Sequence, residues 1–431
     1  MVQRENDMRD YAKIMRSCGV EDYFITETVS ESAELFFIKK KLDMRRYKNT
    51  AEAEISVYKV YEDNGAKFKG GASVIVNLTD TDAEVTEKVK SALYGAGFVK
   101  NKYYEFAKGV KSDTIIMESD LNGPSLSELA KKFADAVYSE DCDEKAFINS
   151  LEIFANEEKV HMVSSYGTDV SYVKRTVEGE FVAQCKEPND VETYQSFEYD
   201  SLALSEIKNL VKSTLALTRD RAEAVNMPKA GNYDIVLSDK YVPEVISFYP
   251  TRANAAFIYP GYSEFKVGDK VQGENVKGDA LNIRFGVTAP FSEEGIPMKE
   301  RSFIENGVLK TIHGSQRFSY YLGIEQIGNY DKVILPAGST KFAEMLNRPC
   351  LHVVNFSDFQ MDSYDGHFKG EIRLAYLYDG KGNVEFVTGG SINGSIFDSQ
   401  EDIVLSEETQ KLAQYEGPRA ILLKNVAVAG E

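Results

Sequence analysis

The chain has 431 residues, 43% of them hydrophobic, with 25 Tyr and 24 Phe but no Trp, so it holds material for sizeable cores and is not a disordered polymer. The 50 basic and 68 acidic residues give a formal net charge of -18, which repels a phosphate backbone and argues against direct nucleic-acid binding. At about 150 residues per domain, the length corresponds to two or three domains.

The opening MVQRENDMRDYAKIM is rich in charge and lacks an apolar core segment, so no secretory signal is expected there. No run approaches the roughly 18 apolar residues that span a bilayer. Cys18, Cys142, Cys185 and Cys350 are scattered without a CxxC pair, which excludes zinc-ribbon spacing and gives no disulfide framework. The expectation is a cytoplasmic protein with reduced thiols and no membrane contact.

In chain order, Met8, Tyr11, Ala12 and Met15 follow helical spacing up to Gly19. Strand-like runs follow in AELFFIKKK, AEAEISVYKVYE and KFKGGASVIVNL, and the basic residues Lys39, Lys40, Lys41, Arg45 and Arg46 read as a solvated strand face. A second helix sets Val85, Val89, Ala92 and Leu93 on one side. After Asn122-Gly123-Pro124 the order begins again. Ser125 and Glu128 form a capping box for a helix with Leu126, Leu129, Phe133 and Val137 inward. Strands are predicted in FINSLEIFA, KVHMVSSY, VSYVKRTV and EFVAQC, then a long helix carrying Leu204, Ile207, Val211 and Leu215. The pattern reads as an α+β domain over 1–225 with an internal duplication (about 1–120 and 121–225).

AVNMPKAGNYD reads as a linker into a β-rich domain over 226–431. There Asn306-Gly307, Asp365-Gly366, Asp379-Gly380 and Asn393-Gly394 each lie between apolar runs and predict tight hairpins, with a short helix in STKFAEMLN. FSEEGIP is then the turn feeding the SFIE-NG-VLK hairpin. Glu293 and Glu294, as neighbours leading into a strand, face opposite ways and are expected to be solvated turn acids, not a catalytic pair.

The four histidines, His161, His313, His352 and His367, form no HExxH, and no phosphate loop, nucleophile elbow or GxGxxG is present. TGGSING has glycines at the wrong spacing. The densest polar stretch is DFQMDSYDGHFKGE, where Asp358, Asp362, Asp365, His367 and Glu371 are candidate metal donors. Against that, Asp365-Gly366 makes the turn while Phe368 packs inward, and the reading as a polar loop is preferred. His161 alternates with Val160 and Met162 on a strand as a structural or surface residue. His313 and His352 are placed at strand edges, and Cys350 beside His352 lacks the third group a nucleophile dyad needs.

From Ala222 the runs AEAVNMPKAGNYDIVLS, YSEFKVGDKV, APFSEEGIPMKERSFIENGVLK, QIGN, DSYDGHFKGEIRLAYLYDGKG and GPRAILLKNVAVAGE together resemble the TldD/PmbA family, whose older label is modulator of DNA gyrase. The resemblance covers about residues 222–431 by motif, and the first half by its order of elements. It marks Glu294, Gly295, Gly328, Asn329 and Gly366 as family-motif or peptide-binding positions. Ser292 stands where the family turn has Asp, and Ile327 where Thr precedes Gly328-Asn329.

The resemblance implies a pair of subunits. The TldD type is a zinc peptidase with H-E-x-x-x-H on the helix after the first strand of the C-terminal domain and a Cys near its end. The PmbA type, also called TldE, lacks these ligands. The pair is linked to peptide maturation, such as microcin processing, and to degradation of unstructured antitoxin. Here the corresponding strand is NYDIVLS and the helix is KYVPEVISFYPTRANAAF, whose one acid is Glu244, between Pro243 and Pro250. No His lies between His161 and His313, and no Cys beyond Cys350. The resemblance is therefore to the PmbA/TldE side: catalytic residues none, no cofactor of its own, zinc in a TldD-type partner, or else a homodimer, with a peptide substrate. The competing expectation is an independent metal-dependent hydrolase centred near Asp365 and His367.

Overall fold

The computed structural model of the chain describes residues 9–431. The first half runs α1 (Tyr11–Ser17), β1 (Asp22–Ile38), β2 (Lys41–Asp63), β3 (Ala66–Asn77), α2 (Asp82–Ala96), β4 (Ile115–Ile116), α3 (Leu126–Ser139), β5 (Ala146–Ser164), β6 (Asp169–Cys185), β7 (Val191–Tyr199) and α4 (Leu204–Glu223). A helix, three strands and a helix thus occur twice in order. Met8 lies outside the described residues. α1 starts instead on Asp10, whose carboxylate accepts from the Lys13 amide at 2.9 Å. Reciprocal capping boxes open α2 (Thr81, Glu84) and α3 (Ser125, Glu128).

All these strands form one sheet, β3-β2-β1-β5-β6-β4, with β7 also on β6. β1 and β5 pair antiparallel at its centre from Phe24↔Ser164 to Ile38↔Ser150. The expected pairs FINSLEIFA/KVHMVSSY and VSYVKRTV/EFVAQC are each one uninterrupted strand, β5 and β6, because their ladder runs on through the polar pairs Asn156↔Thr176 to Lys159↔Val173, where the buried side chains change from one face of the sheet to the other. β7 was not anticipated, since only Thr193, Phe197 and Tyr199 are buried in a polar run. Alternation puts Ile25 and Ala33 of β1 on one face, under α1–α2 and under α3–α4 respectively. The opposite face, with Phe24, Val160, Met162, Val170 and Tyr172, receives Phe291 from the second half.

Two further sheets use residues 231–429 only, and the whole is α+β. β8 (Gly231–Ser238) lies between Pro349–Met361, parallel, and Ala420–Ala429, antiparallel. That sheet continues through Ser391–Ser395 to His367–Asp379, which pairs back with Pro349–Met361, so five strands close into a ring. The second sheet runs Val308–Leu309, Arg301–Glu305, Ile283–Gly286, Lys332–Ile334, Tyr415–Pro418, Thr409–Leu412. One large core, from Ile235 to Val428, joins both.

Of the four predicted tight turns, Asn306-Gly307 alone is a two-residue hairpin, with φ of 47° and 73°. Gly366 and Gly380 take positive φ in longer loops. Asn393-Gly394 is no turn at all: both sit inside Ser391–Ser395, and Gly394 is there because a β-carbon would come within 2.3 Å of the Phe368 ring. His313 and His352 are not edge residues but buried ones, and His352 lies in a strand paired on both sides. No helix among the described residues is long and apolar enough to cross a membrane.

Candidate functional site

β8 delivers the chain through Asp239 into the segment expected to be one helix. It forms three: α5 (Tyr241–Ile246), α6 (Phe248–Arg252) and α7 (Ala255–Ile258). Pro243 and Pro250 are each the third residue of their short helices, where a missing N–H costs nothing. In one continuous helix Pro250 would instead have lacked an interior donor, so the run breaks at Ser247. Tyr241, Val242, Val245, Ile246, Phe248 and Tyr249 are buried in the core. Asn254 restarts the helix, its side-chain oxygen accepting from the Ala256 amide at 2.9 Å.

The motif glycines gather around this broken segment. Ser292 Oγ accepts from the amides of Glu294 (3.3 Å) and Ile296 (3.2 Å), so a serine does the turn-forming work of an aspartate. Gly295, at φ 73°, turns the chain against the first-half sheet, where a β-carbon would lie 2.8 Å from Thr168. Gly328, at φ 81°, abuts Ser292, and its carbonyl accepts from the Gly314 amide at 3.2 Å. Asn329 Oδ1 accepts from Asn254 Nδ2 at 3.2 Å. Gly366, at φ 77°, packs on Phe397, and its neighbours Ser363 and Tyr364 turn their carbonyls onto Arg252 Nη1 at 3.3 and 2.9 Å. Turns far apart in sequence therefore meet the α6–α7 corner at Arg252 and Asn254.

His313 locks that corner. Its Nε2 donates to the Pro250 carbonyl at 2.9 Å and its Nδ1 accepts from the Tyr330 amide at 3.0 Å. Its backbone also bonds Ala253 and Ala255. Burial pushes its pKa down to about 4, so the ring is neutral. Sequence reasoning missed Arg252, Asn254, His313 and Gln316. Asn254 ahead of Ala-Ala-Phe is a legible cap; the others depend on distant partners.

Glu294 is not the solvated turn acid expected. Its Oε2 accepts from the Gln316 amide at 2.8 Å. Burial pushes its pKa up to about 7; the Gln316 amide and Arg317 oppose the shift, and Glu293 adds to it. Glu293 itself is exposed and turned away, so the pair does not converge. Gln316, which opens α8 (Gln316–Leu322), also accepts from the Ala107 amide at 2.6 Å. Phe106 stacks on Tyr166 at 4.4 Å beside Tyr58, and the charge of Glu294 helps to raise both tyrosine pKa values, chiefly set by burial. Tyr104 meets Tyr321 at 6.1 Å and Phe291 packs beside Tyr58 and Tyr166, so an aromatic seam joins the two halves next to the Glu294 turn.

The acidic stretch does not assemble. Asp358 accepts from Gln360, Asp362 from the Tyr364 amide at 2.8 Å, Asp365 from the His367 amide at 3.0 Å, and Glu371 from Ser357 at 2.9 Å. His367 Nδ1 reaches Asp365 alone, at 3.2 Å. Each carboxylate serves its own turn or strand, and among the described residues no three His, Cys, Asp or Glu side chains are placed to hold a metal ion. His161 lies between Glu27 (3.1 Å) and Asp169 (3.0 Å) on neighbouring strands. Cys350 directs its thiol to the Met345 carbonyl, and burial pushes that thiol up to about 11; His352 Nε2 is 3.1 Å from Ser238 Oγ. Neither is a nucleophile dyad.

Residues 230–430 match the model of the PmbA/TldA metallopeptidase C-terminal domain. Residues 230–430 are a PmbA/TldD-family domain. A metalloprotease of Methanothermobacter thermautotrophicus is 27% identical over 190 residues, 42% of this chain and 40% of the relative, so the match spans less than half of that protein. The whole fold resembles TldE from Thermococcus kodakarensis, at a TM-score of 0.77 and 16% identity, over 97% of this chain and 100% of the other. A structure described as a modulator of a DNA gyrase from Thermotoga maritima gives 0.75 at 18% identity, over 97% and 99% of the two chains. A similar one from Bacteroides thetaiotaomicron gives 0.75 at 15%, over 98% and 100%. In this PmbA/TldD-family domain the segment after β8 offers no imidazole or thiolate, only Glu244 among buried apolar side chains. That donor set does not fit zinc.

Proposed function

We propose that this chain is a non-catalytic, PmbA/TldE-like subunit of a metallopeptidase complex that handles unstructured peptides, in peptide maturation or proteolysis. One observation carries the reading: where the resemblance places a zinc-binding helix, α5 and α6 present Val245, Ile246, Phe248 and Tyr249, all buried and none a metal donor. The likeness of fold to TldE from Thermococcus kodakarensis supports it. The partner is a TldD-type zinc peptidase subunit or a second copy in an isologous dimer. The peptide is held extended, by strand addition at sheet margins of the hairpin-rich half. The charge of -18 favours basic or unfolded peptides and disfavours nucleic acid. The setting is cytoplasmic.

The test is co-purification with a chain of the same cell that contains H-E-x-x-x-H, followed by cleavage of an unstructured peptide by each chain alone and by both. Cleavage that requires both supports the reading. Cleavage by this chain alone, or a partner indifferent to its presence, refutes it. The competing hydrolase on Asp362, Asp365, His367 and Glu371 has no converging donor set to support it.

A further inference from the structure

Arg252, at the end of α6, is a buried cation that no carboxylate of the described residues touches, although the charge of Glu264 acts on it from farther off. Its residue exposure is 9%, and its guanidinium lies 5.7, 5.2 and 5.9 Å from the ring centres of Phe248, Phe265 and Phe397. Nη1 is satisfied by the two carbonyls of Ser363 and Tyr364. Nε is buried with no hydrogen-bond partner among the described residues, and none is formed there by Nη2. No carboxylate of the described residues forms a salt bridge with it, although 25 other such contacts, most of them at the surface, are made in the chain. Interior charges are normally matched by an anion, and the Nε–Nη2 edge of a guanidinium has the spacing of two carboxylate oxygens.

The surface above Arg252 is aromatic. Tyr364, Phe397 and Tyr262 are 57%, 45% and 53% exposed. Tyr364 contacts Phe257 and Tyr262 at ring distances of 4.8 and 5.2 Å, and Phe397 contacts Phe248 at 5.3 Å. These exposed rings form a rim over the guanidinium. A buried arginine under an exposed aromatic rim has the composition of a binding hot spot.

We propose that Arg252 and the rim of Tyr364 and Phe397 bind the C-terminal carboxylate of a peptide, with the last apolar side chain lying on the aromatic rings. One unpaired guanidinium matches one carboxylate. An internal acidic run is disfavoured, because the charge of Glu264 already acts on Arg252 and Asp362 and Asp365 belong to the turn whose Ser363 and Tyr364 carbonyls bind it, in a chain of net charge -18. The inference deepens the peptide-handling reading above and rests on it.

The test is fluorescence anisotropy with a labelled hexapeptide ending in Leu, prepared as the free acid, as the C-terminal amide, and as an amide with Asp at the last position. The full-length chain binds the free acid about tenfold more tightly than either amide, and Arg252→Gln loses that preference while its circular dichroism and melting temperature stay close to those of the parent. If Arg252→Gln does not fold, Tyr364→Ala and Phe397→Ala, both at exposed positions, decide instead, and each weakens binding of the acid several-fold. Equal binding of acid and amide by the parent chain, binding of neither, or a preference for the Asp-bearing amide overturns the site. The complementation assay with the H-E-x-x-x-H chain is unaffected by that failure, so loss of this site and loss of the subunit reading are told apart.

Discussion

Gly328 lies so close to Ser292 that a β-carbon on the glycine would stand 2.7 Å from the serine Cβ. This contact holds together the Ser292–Ile296 turn and the Gly328-Asn329 turn, 36 positions apart by their numbers, at the α6–α7 corner. Gly328→Ala is therefore expected to pay twice, for positive φ and for overlap, and to lose about 3 kcal/mol in urea unfolding. Gly261→Ala, with φ 86° and nothing within 4 Å, is the control and loses only about 1 kcal/mol. Equal losses would show that the contact with Ser292 contributes nothing.

Glu294 ties stability to pH. Burial raises its pKa from 4.5 to about 7. Between those values the folded chain retains a proton that the unfolded chain has released, so stability falls as pH rises through this window, by about 2–3 kcal/mol. Glu294→Gln keeps an acceptor for the Gln316 amide and removes the titration. Its unfolding free energy should exceed that of the parent above pH 7 and vary less across the window. Parallel pH profiles for the two proteins would exclude a buried, proton-holding Glu294.

His313 has the opposite sign. Its pKa is depressed from 6.5 to about 4 by burial, so stability is lost as pH falls from the first value toward the second. His313→Leu keeps the bulk but strands the Tyr330 amide and the Pro250 carbonyl. A loss of about 2–4 kcal/mol in denaturant unfolding is expected. A fully folded variant of unchanged midpoint would mean that the ring is not the lock.

Asn254 and Asn329 should behave as a coupled pair. Asn254→Ala removes both the cap of α7 and the link to Asn329, costing about 1–2 kcal/mol, whereas Asn329→Ala removes the link alone. A double-mutant cycle should return a coupling of about 0.5–1 kcal/mol. Strict additivity would dissolve the pair.

Chelation provides the last check. Because Asp362, Asp365, His367 and Glu371 each answer a local partner, treatment with EDTA should leave the melting temperature of the purified chain unchanged. Stoichiometric zinc that is lost on His367→Ala would instead revive the hydrolase.

Local periodicity made the helices legible: Val85, Val89 and Ala92, or Leu126, Leu129, Phe133 and Val137, point inward as their spacing requires. The Asn306-Gly307 hairpin was legible for the same reason, since its conformation depends on those two residues alone. Asn393-Gly394 failed because packing against Phe368, a tertiary demand, selects glycine in a strand as readily as a turn does. Glu294 and His313 were misjudged on the same ground. Their burial is imposed by Gln316, Pro250 and Tyr330, and nothing in the residues beside them announces it. Arg252 stood in plain view as a lone cation in an apolar run, but its lack of a salt bridge among the described residues is a property of the folded neighbourhood.

The closed circuit of five strands around β8 has one more effect. A sheet that returns to its own beginning has no terminal strand in that circuit, which leaves a passing chain little to pair with there. In the six-stranded sheet, one margin, Val308–Leu309, is already covered by Gly268, Asp269 and Lys270. The open margin is Thr409–Leu412. Resistance of the hairpin-rich half to misassembly is thus written into the order of its connections, and the Thr409–Leu412 border is short.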